Sequence, residues 1–194
     1  VVTTTSEPST GTAEVTPALE DLAIGETAEF LITATIPEGT VPQVVITDTL
    51  PFAAGVMEVV SAVVDTVGAN LTPAIPLPVP SISDVQLADG VDDTASFDFG
   101  QVINAADGIG DANDQISVRV VGRVIDVVAN ANNDVLTNSA LVQFGPGLNA
   151  SASAMVDVVE PLLNVVKSSV STQGDAGDTV VFTIDVAHVV ASNS

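Results

Sequence analysis

The feature that most constrains this chain is that its sequence repeats itself. The segment Gly25-Glu-Thr-Ala-Glu-Phe-Leu-Ile32 returns as Gly177-Asp-Thr-Val-Val-Phe-Thr-Ile184, at an offset of 177 − 25 = 152 residues. The pair Glu7-Pro8 returns as Glu160-Pro161, at an offset of 160 − 7 = 153 residues. Two separate landmarks therefore give nearly the same period, which is the sign of a tandem array.

The period divides the chain into three parts. We predict that residues 1–8 are the tail strand of a preceding repeat or a linker, that 9–160 form a complete repeat, and that 161–194 are the first strands of a following repeat. A unit of about 150 residues is large enough to fold around a hydrophobic core of its own.

Within the complete repeat, the hydrophobic pattern predicts strands. Between residues 28 and 36, Phe30, Ile32, Ala34 and Ile36 alternate with mostly polar side chains, which is the period of a half-buried strand. Similar runs recur at 41–50, 56–67, 83–87, 94–103, 115–127, 135–144 and 151–159. Four prolines between Leu71 and Pro80 predict an extended edge or a loop excursion. We therefore expect an all-β fold, an immunoglobulin-like antiparallel β-sandwich with extra loops or strands, as part of a tandem array.

Composition agrees with a sheet and limits the partners. The chain is 46% hydrophobic but has six Phe and no Trp or Tyr, so its core must consist of small and β-branched side chains. Its formal net charge of −22 repels nucleic acid and anionic membranes, and no apolar run is long enough for membrane insertion. Salt or divalent cations would weaken the repulsion among these carboxylates, and both are abundant outside cells. We expect a secreted or cell-surface protein of a prokaryote, with neither nucleic acid nor membrane as a partner.

Four segments carry a family resemblance: Ile24–Ile32, Val44–Pro51, Phe97–Asn104 and Leu136–Val142. Their order and spacing resemble the tandem conserved-repeat, immunoglobulin-like domains of large bacterial and archaeal surface proteins and adhesins, whose relatives include isopeptide-forming fimbrial domains. The resemblance covers most of residues 13–160, and again 162–186. It implies an extracellular stalk, sheath or adhesin segment and no reaction.

The resemblance raises one covalent possibility, at Lys167. Isopeptide-forming relatives join a Lys on their first strand to an Asn on the last, with a carboxylate as catalyst. The position in the complete repeat that corresponds to Lys167 is 167 − 152 = 15, which is Val15, so that repeat cannot form the bond there. We expect Lys167 to be a solvent-facing strand residue.

A glycine-bearing acidic loop, residues 104–115, is the candidate metal site. It contains Asp107, Asp111, Asn113 and Asp114, whose oxygens suit Ca²⁺. The spacing is not that of an EF-hand, because the Glu at the twelfth position is missing. The alternative is an acidic, solvated hairpin loop in which Asn and Asp serve turn geometry. No other cofactor is predicted.

Other acidic residues are assigned simpler roles. Asp89, Asp92 and Asp93 border a strand start and could join a site at the same end of the sandwich, although solvation explains them more simply. Asp48 and Glu26 are interpreted as turn and cap residues.

Catalysis has little support, and we predict that the chain is not an enzyme. His188 is the single His, Cys is absent, and no Ser lies in a Gly-x-Ser-x-Gly motif. Carboxylate-pair glycosidases usually have aromatic sugar platforms, and Trp and Tyr are missing.

The sequence thus favours a structural repeat of an extracellular filament, sheath, surface layer or giant adhesin. Its partners would be copies of itself or neighbouring repeats, joined head to tail by strand donation. The alternative is a calcium-dependent adhesin module that binds a glycan or protein ligand through its end loops.

Overall fold

A computed structural model describes residues 1–6, 19–53, 56–86, 89–160, 163–170 and 173–188. These residues form thirteen strands and one 3-10 helix, Ala112–Asp114, and no α-helix. The strands are β1 (Val2–Thr5), β2 (Glu20–Ala23), β3 (Thr27–Thr35), β4 (Gly39–Thr49), β5 (Met57–Val67), β6 (Leu71–Pro73), β7 (Ser81–Ser83), β8 (Thr94–Asn104), β9 (Gln115–Val124), β10 (Val135–Gln143), β11 (Asn149–Val159), β12 (Leu163–Ser169) and β13 (Phe182–His188).

The strands pair into two large sheets and one hairpin. The four-stranded sheet has the order β1-β3-β9-β5, and the seven-stranded sheet has the order β2-β11-β10-β4-β8-β6, with β7 also paired to β8. Strands β12 and β13 form a two-stranded sheet of their own. All described pairs are antiparallel except β2 with β11. The prediction of an all-β, antiparallel sandwich is therefore confirmed.

The core lies between the two large sheets. Phe30 on β3 belongs to one continuous buried cluster together with Phe97 and Phe99 on β8. The remaining members of the cluster are mainly Val, Leu, Ile and Ala from alternate positions of the strands. Burying such side chains stabilises the fold by about 25 cal/mol per Å² of apolar surface, so many small contacts replace the missing Trp and Tyr.

Most of the predicted strands occur within a few residues of their predicted bounds, but the strand predicted at 83–87 is wrong. The strand there is β7, and residues 84–86 form a loop. The loop bends because the Asp93 carboxylate accepts hydrogen bonds from the backbone N–H groups of Val85 (3.2 Å) and Gln86 (3.1 Å). The proline-rich stretch is extended at its start, in β6, and has no strand from 74 to 80.

Two short strands near the N-terminus belong to the sandwich. Strand β1 pairs with β3, with Val2 opposite Phe30 and Thr5 opposite Ala28. Strand β2 pairs with β11 at the edge of the larger sheet. Since β2 is followed directly by the turn into β3, it connects one sheet to the other.

The β12–β13 hairpin contains the residues that the sequence predicts to begin a following repeat. At an offset of 152 residues, Phe182 and Ile184 on β13 are equivalent to Phe30 and Ile32 on β3. Phe30 is 1% exposed, whereas Phe182 is 56% exposed and Ile184 63% exposed. The hairpin therefore presents to solvent apolar side chains whose sequence counterparts on β3 are buried or packed against the core.

Candidate functional site

The acidic end loop connects β8 to β9, and its carboxylates hold its own backbone. The Asp111 Oδ1 accepts from the Asn113 N–H (2.7 Å), and the Asp114 Oδ2 accepts from the Asp111 N–H (3.1 Å). This reciprocal pair caps the 3-10 helix. The Asn113 side chain also donates to Asp111 Oδ2 (3.2 Å).

Asn70 brings the remaining predicted ligands together. Its Nδ2 donates to Asp107 Oδ2 (2.9 Å) and to Asp114 Oδ1 (3.1 Å). The backbone hydrogen bond from Asp111, followed by that of Asn70, holds the pKa of Asp114 below its usual value. Asp107, Asp111, Asn113 and Asp114 thus lie in one network, in which every carboxylate oxygen already accepts a hydrogen bond. Among the described residues, no group of three or more His, Cys, Asp or Glu side chains is placed to hold a metal ion.

A cavity of about 340 Å³ lies beside this network. It is lined by Asp114, by Glu38 and by Asn104, the last residue of β8. Asn104 is buried; its Nδ2 donates to the Ile36 carbonyl (2.8 Å), while its Oδ1 has no hydrogen-bond partner. Glu38 Oε1 accepts from the N–H groups of Asp107 (3.1 Å) and Gly108 (2.6 Å). The cavity is therefore rich in oxygen acceptors. The contact of Glu38 with the acidic loop could not be predicted from spacing in the sequence, because Glu38 precedes β4 and lies 69 residues before Asp107.

A second polar site lies inside the sandwich, where β4 and β10 run side by side. Asp48 and Asn138 are buried, and Asn138 Nδ2 donates to Asp48 Oδ2 (3.2 Å). The Oδ1 atom of each has no partner. Burial raises the pKa of Asp48 to about 7, although the hydrogen bond from Asn138 acts in the opposite direction. Both residues line a cavity of about 260 Å³ together with Phe30 and Ile32.

The interpretation of Asp48 as a turn or cap residue is wrong. It lies within β4, where Ile46 and Leu50, two positions away on either side, belong to the core. Period-two alternation places Asp48 on the same inward face. That signal was present in the sequence but was hidden by the turn-like Thr47-Asp48-Thr49 before Pro51. Glu26, in contrast, acts in its turn as predicted: its Oε2 accepts from the Ala23 N–H (2.8 Å).

Lys167 belongs to the β12–β13 hairpin. It is exposed on β12, and its Nζ lies 4.3 Å from the centroid of the Phe182 ring, in cation–π contact. Val15, its equivalent in the complete repeat, lies outside the described residues. Asp48 and Asn138 supply the carboxylate and amide types that the resemblance implies for an isopeptide site, but this repeat has no lysine. The exposure of Lys167 on β12 agrees with the prediction that it is a solvent-facing strand residue.

The second acidic cluster cannot join the end-loop site. Asp93 directly precedes β8 and the acidic loop directly follows it, so the eleven residues of β8 separate them by about 33 Å. Asp93 is buried and also accepts from the Thr94 hydroxyl (2.7 Å). Asp89 accepts from the Val91 N–H (3.0 Å). These residues shape the loop before β8.

The chain matches no known protein family, and no curated protein matches it. The solved structures that are similar to it at low identity include the following three. A DUF4466 family protein from Parabacteroides merdae has a TM-score of 0.42 and 15% identity, over 80% of this chain and 46% of that one. A family 123 glycoside hydrolase from Clostridium perfringens has a TM-score of 0.36 and 13% identity, over 72% of this chain and 22% of that one.

The third structure is ACE19, the collagen-binding subdomain of the Enterococcus faecalis surface protein ACE. Its TM-score is 0.35 at 11% identity, over 71% of this chain and 91% of that one. This chain spans less than half the length of the first two structures. All three TM-scores lie below 0.5, so the likeness is one of general β architecture and carries no functional argument. In the described part of the chain, no helix is long and apolar enough to cross a membrane.

Proposed function

We propose that the chain is a structural module of an extracellular filament, sheath, surface layer or large adhesin, in which successive sandwiches are completed by neighbouring copies. The observation that carries this proposal is the apolar face of the β12–β13 hairpin. Phe182, Ile184 and Val186 are all more than half exposed, although their equivalents in the complete repeat line the core or pack against it. No other described strand pairs with the hairpin.

An isolated hairpin is at best marginally stable in water and needs a further layer over its apolar face. In the complete repeat that layer is the seven-stranded sheet. In our proposal, the layer over the hairpin is supplied by a neighbouring repeat or by a second copy of the chain. Unpaired strand edges favour such addition.

The complete repeat also offers an edge that a donated strand could use. In the hairpin, Lys167 on β12 lies opposite Ile184, the equivalent of Ile32. In the sandwich, β1 reaches only as far as Phe30 and Leu31 on β3. Beyond that point, among the described residues, β3 has β9 on its other side and no strand on this one. A strand equivalent to β12 would pair along this stretch of β3.

The proposal is tested with two substitutions of exposed apolar residues. Ile184→Asp places a charge on the hairpin face, while Val128→Asp places the same charge on a fully exposed loop outside the strands. We expect the wild type and Val128→Asp to self-associate with rising concentration in analytical ultracentrifugation. Ile184→Asp should remain monomeric with an unchanged Tm of the sandwich. A wild type that is monomeric throughout, or association that survives Ile184→Asp, would contradict self-completion.

A second candidate, a calcium-dependent adhesin module, is favoured by the free Asn104 Oδ1 in the end-loop cavity. Asn104 has an unpartnered amide oxygen and lines the same cavity as Asp114 and Glu38, and oxygen ligands of this kind suit a hard cation. At fixed ionic strength, Ca²⁺ should raise the Tm more than Mg²⁺ does. Glu38→Gln should remove that difference, while Asp126→Asn, which removes an exposed charge elsewhere, should not. Equal effects of both cations would indicate screening alone.

A further inference from the structure

At the edge of the seven-stranded sheet, two aspartates face each other without any partner. Strands β2 and β11 are parallel there, with Asp21 directly opposite Asp157. Asp21 is 5% exposed and Asp157 is 0% exposed. None of their four carboxylate oxygens has a hydrogen-bond donor. These atoms are half of the buried side-chain atoms that lack a partner in the described structure.

The two side chains share the face of the sheet that points away from the core. Leu22 and Val158, their neighbours along the strands and also opposite each other, belong to the core cluster. Successive side chains on a strand point to opposite faces, so Asp21 and Asp157 lie together on the other face. Strand β10, which pairs with β11, carries no titratable residue.

The charged groups around the pair are all acidic. They are Glu20 on β2, Glu26 in the turn after it, Asp134 in the loop bonded to Val158, and Glu160 after β11. The residues before β2, 7–18, contain Glu7 and Glu14 and no base. Arg119 is paired with Glu29 and Asp65 on the four-stranded sheet, Arg123 is paired with Glu58 there, and Lys167 is in the hairpin.

Two adjacent buried carboxylates with no cation between them cannot both be ionised at acceptable cost. When one is protonated, its O–H becomes a donor and the other carboxylate becomes its acceptor. We propose that Asp21 and Asp157 form a carboxylic acid–carboxylate pair, which binds one proton and clasps β2 to β11, and that loss of this proton loosens β2.

The direction of titration agrees with this geometry. Burial, then the hydrogen bond and the charge of Asp157, raise the pKa of Asp21 to about 6. A carboxyl whose pKa is raised by folding stabilises the fold fully below its unfolded value near 4. That contribution is lost as the pH rises through about 6. The loss is local at first, because β11 is the strand with which β2 pairs among those that the structure describes.

The first experiment follows the carboxyl ¹³C resonances of the two aspartates in the wild-type chain between pH 3 and 9. The expected result is one proton lost from the pair near pH 6, sensed by both carboxyl groups. Independent titration of both near pH 4 would overturn the proposal. This measurement needs no substitution and therefore does not depend on whether a variant folds.

The second experiment uses Asp21→Asn, whose amide donates to Asp157 at every pH and so imitates the protonated pair. Between pH 5 and 8, hydrogen exchange of residues 20–23, corrected for the intrinsic rate, should accelerate at least several-fold in the wild type. It should stay constant in Asp21→Asn. The control, Asp126→Asn, removes one exposed charge and should behave as the wild type does. The same acceleration in Asp21→Asn would show that the pair does not control β2.

A cation in place of the proton is the remaining outcome. If Na⁺ or Ca²⁺, added at pH 8 with the ionic strength held constant, restores the slow exchange of residues 20–23 in the wild type, the pair binds a cation instead of a proton and the proposal is wrong. If exchange at pH 8 and constant ionic strength remains fast with either ion, the proton is the ligand.

Discussion

Asp48 places a carboxyl group inside the sandwich with a single hydrogen-bond donor, Asn138. Because burial raises its pKa to about 7, the folded domain takes up a proton there at a pH where the unfolded chain has already lost it. Stability is therefore highest below the unfolded pKa near 4 and falls as the pH rises through about 7. This pH dependence is opposite to that of a carboxylate in an ion pair, whose contribution to stability is lost as the pH falls.

Asp48→Asn should remove that pH dependence, since an amide is uncharged and can still bond with Asn138. At pH 8 we expect the variant to be more stable than the wild type by on the order of 2 kcal/mol. At pH 5 the difference should be much smaller. Urea unfolding at both pH values measures it, with Asp126→Asn as the charge-matched control. If the variant is less stable than the wild type at pH 8, the ionised Asp48 carboxylate must be stabilised in the folded protein, and the prediction is wrong.

Position 68 requires glycine because the backbone of the acidic loop passes too close to it to leave room for a Cβ atom. A Cβ at this position would lie 2.1 Å from the carbonyl oxygen of Asn113, in the 3-10 helix of the acidic loop. Gly68→Ala should therefore push that loop away and cost about 1–3 kcal/mol, as overpacking does. Gly110→Ala in the same loop meets no atom within 4 Å and should be nearly neutral. Thermal unfolding of the two variants tests this contrast, and equal Tm values would contradict it.

At the scale of strands, the alternation of hydrophobic and polar residues in the sequence predicted those strands that have one buried face. Strands β3, β4, β8, β9 and β10 were indicated because each buries alternate side chains over much of its length. Strand β11 was predicted too, although only its last four residues are buried. Strands β1 and β2, of four residues each, are too short to show a period, and their existence depends on partners far along the chain. The same limit explains why Asp21–Asp157 and Glu38–Asn104 were missed: each is a juxtaposition made by sheet pairing or by loop packing.

Strands β3 and β13 carry a matched pair of residues, aligned by the 152-residue offset in the sequence, for testing the role of the hairpin. Phe30 on β3 is buried, and its equivalent on β13, Phe182, is 56% exposed. Phe30→Ala should destabilise the sandwich by about 3–5 kcal/mol, because it opens a cavity in the core. Phe182→Ala should change the stability of the monomer by less than about 0.5 kcal/mol. In dilute samples, only Phe30→Ala should lower the free energy of unfolding substantially. If Phe182→Ala lowers it as well in concentrated samples, the hairpin face is covered when copies associate.

At the scale of the whole molecule, charge is distributed very unevenly. Twenty-five acidic residues face three basic ones, and both arginines are already paired with acids on the four-stranded sheet. Most carboxylates therefore repel one another, and many stabilise turns through backbone N–H groups. Folding gathers this charge into a smaller volume, which opposes the compact state. Counterions of the medium must offset that repulsion.

Screening should consequently stabilise the fold. Raising NaCl from about 0.02 M to about 0.5 M shortens the Debye length from roughly 20 Å to about 4 Å, and we expect the Tm to rise by several degrees. KCl at equal ionic strength should act equally, because screening does not distinguish the two cations. Most of the rise should occur below about 0.2 M, where the screening length changes most. A Tm that is constant or falls with salt would contradict this prediction. It would mean that the carboxylates are already neutralised by protons or bound ions.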